Sequence, residues 1–136
     1  GYTNYAIAFT DEAYRAQFKE VLEWIVEQLT ASKPIYMHCQ GGCDRTGTLS
    51  FQLLGLLGVS ESDLAKEYEL SSFSDIGFGR LRTTTQEVDT YDYVGMVEAL
   101  KTYSGDTITD KFVSFATTGC GISTDTITSF RNLMLE

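Results

Sequence analysis

The sequence predicts an α/β fold that is mostly helical in this segment: one short strand runs into a glycine-rich turn, and helices follow to the end. Two observations carry this. Ile35-Tyr36-Met37-His38 is an apolar, β-favouring run with Pro34 before it and glycines after it, the pattern of a buried strand. On both sides of it, apolar residues recur at the spacing of one helix face. A parallel sheet needs several strands and only one is legible. The 136 residues are therefore expected to form a single domain, 1–136, that is the C-terminal portion of a larger one, with an incomplete sheet. The remaining strands would lie upstream of Gly1 or come from a second chain. A start at Gly1 without an initiator methionine is what a trimmed chain would show.

The elements follow in order. Residues 5–9 read as a short strand or an extended approach. Thr10 is the expected N-cap of a helix over 11–31, with Asp11 and Glu12 in its first turn. Tyr14, Phe18, Val21, Leu22, Ile25, Val26 and Leu29 form its apolar face, and Ser32-Lys33-Pro34 ends it. After the strand and turn, Thr46 to Leu57 reads as an apolar, central helix closed by Gly58. Ser60 opens a third helix to about Leu70, with Asp63 near the capping-box position. Residues 71–86 carry glycine, serine and threonine clusters and predict a surface loop. Further helices are predicted over 87–103, 107–117 and 123–135, the last capped by Ser123 with Asp125 behind it.

Composition narrows the function. Hydrophobic residues make up 43% of the chain and aromatics 12%, which places it among globular proteins. A formal charge of −9 with no basic patch argues against nucleic acid as a partner. No apolar run approaches a membrane span, and the first residues are no signal peptide. Cys39, Cys43 and Cys120 are too few for a disulfide scaffold, and their spacing with His38, the lone histidine, is not that of a metal site. No metal or other cofactor is expected.

The chemistry concentrates in His38-Cys39-Gln40-Gly41-Gly42-Cys43-Asp44-Arg45-Thr46-Gly47, between the strand and a helix start. Backbone N–H groups of Gln40, Gly41, Gly42, Cys43, Asp44 and Arg45 can converge as a nest for phosphate oxygens at the helix N-terminus. The same surroundings favour a Cys39 thiolate, the nucleophile. Gly41 and Gly42 permit positive φ and close approach. Arg45 offers a planar fork for two phosphate oxygens, which a lysine does not. Thr46 can donate to the Cys39 sulfur and ease its departure. His38 is expected to support the loop through a backbone hydrogen bond. Asp44, the acid inside the loop, can protonate a leaving oxygen and then activate water. Its bland alternative is that of an N-cap. The spacing predicts hydrolysis of phosphate monoesters through a phosphocysteine.

Six residues in this order match by chance on the order of once per 10^8 positions at average usage, so coincidence is excluded. His38-Cys39, Gly42 and Arg45-Thr46-Gly47 resemble the signature loop of the protein tyrosine phosphatase superfamily: cysteine, five residues, arginine. The ending Asp44-Arg45-Thr46-Gly47 is similar to the bacterial tyrosine/serine phosphatase branch, as is a last helix containing Phe130-Arg131-Asn132-Leu133. The resemblance covers roughly residues 10 to 135 and implies action on phosphotyrosine, or on phosphoserine and phosphothreonine, with Asp44 as general acid. Two departures stand out. Many members have lysine at the position of Cys43, and the branch's N-terminal half, where another acid can lie, is not in this chain. Alternative readings are a phosphoinositide or inositol-polyphosphate phosphatase, and a phosphate-binding pseudophosphatase or interaction domain. A bacterial origin, cytoplasmic or secreted, fits the resemblance. Cys43 reads as a small loop residue or, more pointedly, as a disulfide partner for Cys39. Cys120 reads as a buried small hydrophobe, and Arg80 and Arg82 as a solvated pair or a means of steering substrate.

Overall fold

The computed structural model describes residues 5–73, 80–83 and 93–135. Parts of the predicted 71–86 loop and of the predicted 87–103 helix lie outside these. A short helix α1 (Ile7–Thr10) turns at Asp11 into the long α2 (Glu12–Thr30). Helix α3 (Arg45–Leu56) follows the glycine turn, and α4 (Glu61–Leu70) runs into a 3-10 turn at Ser71–Phe73. Helix α5 is Tyr93–Lys101; α6 (Ile108–Ser114) widens into a π-helical turn at Phe115–Gly119; α7 (Thr124–Leu135) ends the bundle.

Three sequence expectations change. Residues 7–10 are helical, not a strand or extended, because Phe9 enters the core fully buried and Tyr103 Oη donates to its carbonyl at 2.6 Å. The N-cap of α2 is Asp11, not Thr10: its Oδ1 accepts from Ala13 N at 2.9 Å and Tyr14 N at 3.3 Å. No strand forms among the described residues, so the buried strand predicted at 35–38 is absent. A strand exists only where another strand pairs with it, and none does here among the described residues. The alternation of burial survives. Ile35 packs against the core and Met37 lines an apolar groove, while Tyr36 is 87% exposed and stacks on His38.

The remaining helices form where caps and periodicity place them. Ser60 Oγ accepts from Asp63 N, and Thr107 and Asp110 make a reciprocal capping box. Apolar faces meet in an aromatic core. Phe9, Phe51, Phe112 and Phe115 are buried, with Phe51 edge-on to Phe9, Phe112 and Tyr93. Gly55 lets the Phe112 ring lie directly on α3, since a Cβ there would collide with it. Arg131 Nε donates to Leu56 O at 2.7 Å, tying α7 to an otherwise unpaired carbonyl at the end of α3. Among the described residues no helix is long and apolar enough to cross a membrane. The consequence for the site is that α3, which begins at the glycine turn, is held by α4, α5, α6 and α7.

Candidate active site

The loop from Cys39 to Asp44 turns sharply onto the first residue of α3, Arg45. Gly42 makes the turn at φ +75°, a conformation that a side chain tolerates poorly. Its N–H points back at the Cys39 sulfur, 3.2 Å away. Burial pushes the Cys39 thiol up. The Thr46 hydroxyl and the backbone N–H groups of Thr46, Gly42 and Gly41 outweigh it and bring the thiol from 9.0 to about 7. The Thr46 hydroxyl is buried and makes no hydrogen bond of good geometry. Its influence on the sulfur is thus one of proximity.

Each predicted residue has a definite place. His38 is exposed, and its Nδ1 lies 3.3 Å from Cys39 O. Gln40 is exposed and Gly41 half-buried, its carbonyl accepting from Cys43 Sγ at 3.2 Å. Cys43 is buried, and all three cysteines are free thiols. Arg45 is exposed, and no described residue pairs with it. It forms one wall of a cavity of about 200 Å³, whose other walls include Tyr5, Tyr14, Phe18, Leu49 and Gln52. Cys39 is not among that cavity's walls, so the structure brings cysteine and arginine onto one loop without closing them around a common pocket. No group of His, Cys, Asp and Glu side chains among the described residues could hold a metal ion.

Asp44 occupies the N-cap position of α3, but its side chain caps nothing. It turns aside to Arg80. Arg80 Nε reaches Oδ1 at 2.7 Å and Nη2 reaches Oδ2 at 3.0 Å, a bidentate fork with Arg80 3% exposed. The expected solvated pair, Arg80 and Arg82, is therefore corrected. Arg80 is buried against the loop, and Arg82 makes its own fork with Glu69 in α4, at 2.8 and 2.6 Å. Arg80 is the site neighbour that sequence reasoning missed. It lies 36 residues from its partner, with no motif around it to mark the contact.

With this geometry in view, comparison with known proteins is informative. A family model described as "Tyrosine phosphatase family" matches residues 2–136. No curated protein and no solved structure matches the chain.

Proposed function

The chain belongs to the tyrosine phosphatase family, and from that premise we propose that it hydrolyses phosphomonoesters, phosphotyrosine first among them, through a phosphocysteine on Cys39. The observation that carries the proposal is a thiol brought to about 7 at the foot of a backbone N–H nest.

In the first step the Cys39 thiolate attacks phosphorus. A P–S bond forms, the ester P–O bond breaks, and the leaving oxygen takes a proton. Gly41, Gly42 and the other N–H groups of the loop hold the phosphate oxygens, and Arg45, free of other partners, closes on them as a fork. In the second step water attacks phosphorus, the P–S bond breaks, and Cys39 leaves as thiolate with the Thr46 hydroxyl beside it. Asp44 is the proposed base of the second step, taking a proton from the attacking water, and the leaving oxygen of the first step takes its proton from solvent. The Arg80 fork engages both Asp44 oxygens as an ion pair, an arrangement suited to that role. His38 supports the loop through the Cys39 carbonyl.

A phenolic leaving group, with a pKa of about 10, departs with less proton help than an alkanol. This favours phosphotyrosine over phosphoserine or an inositol phosphate. The cavity beside Arg45 points the same way, because its walls are largely aromatic and aliphatic and Arg45 is the one cation among the described residues that line it. The test is turnover of p-nitrophenyl phosphate by the chain and by Cys39→Ser. The substitution should abolish turnover; activity that persists rules Cys39 out as nucleophile.

A further inference from the structure

A carboxylate is a poor neighbour for a phosphate dianion, yet Asp44 stands between the nest and Arg45 in a chain of formal charge −9. Two unbalanced negative charges within one loop repel wherever water is partly excluded. The structure holds a group placed to offset this. Arg80 is buried and covers both Asp44 oxygens with its planar fork. Its own backbone is anchored. Arg80 N donates to Ser72 Oγ at 2.9 Å, and Ser72 Oγ donates to Arg80 O at 2.9 Å. Two residues on, Arg82 is clasped by Glu69, so the segment is tied to the 3-10 turn at Arg80 and to α4 at Arg82. A fork anchored in this way loses little freedom on pairing. Buried ion pairs of this kind are weak contributors to stability, so stability does not account for it well.

Building on the phosphatase reading above, we infer that Arg80 is a positioning residue of the active site. It neutralises Asp44 and fixes its orientation, so that an acid can stand within an anion-binding loop without expelling the anion. Arg80 acts through Asp44 and does not touch the substrate.

The test is a double-mutant cycle read by calorimetric binding of inorganic phosphate to the wild-type chain, Arg80→Ala, Asp44→Asn and the double variant. Arg80→Ala alone should weaken phosphate binding by about tenfold or more, because it leaves Asp44 unpaired. The double variant should bind within about threefold of Asp44→Asn alone, since the charge to be neutralised is gone. Arg80→Lys, which keeps the charge and loses the fork, should hold phosphate nearly as wild type while lowering kcat for p-nitrophenyl phosphate at little change in KM. The proposal is overturned if Arg80→Ala binds phosphate normally. It is equally overturned if the loss is as large in the Asp44→Asn background, or if the wild-type chain binds no phosphate. Should Arg80→Ala lose its helical circular dichroism, Arg80→Gln takes its place in the cycle. Turnover that survives Cys39→Ser is a separate outcome: it removes the cysteine mechanism while the phosphate cycle still judges Arg80.

Discussion

Cys39 and Cys120 are free thiols in opposite surroundings. Cys120 packs against the core, and burial pushes it up to about 12; Cys39 is brought down to about 7. Thiolate forms as pH rises through the pKa, so Cys39 should react increasingly from pH 6 to 8 while Cys120 stays inert. Alkylation by iodoacetamide, with the modified cysteine identified by peptide mass, checks this. The expected midpoint for Cys39 is about 7, and a midpoint at its ordinary 9.0 would remove the N–H nest as a cause. The kcat/KM for p-nitrophenyl phosphate should lose activity on the acid side of the same midpoint. Within the loop, legibility followed chain distance. Cys39, Gly42 and Thr46 lie within eight consecutive residues, and a turn that must reach a helix start leaves few ways to arrange them. The partner of Asp44 is 36 residues away, so local reasoning offered it the N-cap that its position allowed and its side chain declined.

Helix α3 links the site to the rest of the protein, so elements that hold it hold the loop. Gly55 is the tightest of these contacts, with the Phe112 ring occupying the space a Cβ would need. Gly55→Ala should destabilise the chain by about 1–3 kcal/mol despite the better helix propensity of alanine, because α6 must move away from α3. Urea unfolding followed by circular dichroism measures it, and a stabilised variant would contradict the packing. At the start of α6, Thr107→Ala removes one half of a capping box and should cost about 1 kcal/mol in the same assay. Helix existence was legible from apolar periodicity, and the start at Ser60 from capping chemistry. The strand at 35–38 was not, because its residues carry the alternation of an extended chain while the decisive fact is whether a second strand is beside it.

For the molecule as a whole, nineteen acidic residues against ten basic ones oppose an anionic substrate at long range, whereas the proposed phosphate nest would attract it at short range. Salt screens the first more than the second. Raising ionic strength from about 0.01 to about 0.15 M shortens the screening length from about 30 to about 8 Å. The kcat/KM for p-nitrophenyl phosphate should therefore rise; a fall would mean that the local field dominates the approach. Phe115, buried between Phe9, Phe18 and Tyr103, joins α6 to the N-terminal helices. Phe115→Ala should cost about 3–5 kcal/mol by urea unfolding. The sequence by itself determined the longer helices and the sharp turn at Gly42, and it is the source of the chemistry proposed for the loop from His38 to Gly47, because each depends on residues near one another in the chain. Tertiary structure alone decided that Arg80 holds Asp44, that Phe112 rests on Gly55, and that residues 35–38 form no strand. These are choices between distant segments, and a side chain's partner across the fold is set by how helices pack, which no local pattern encodes.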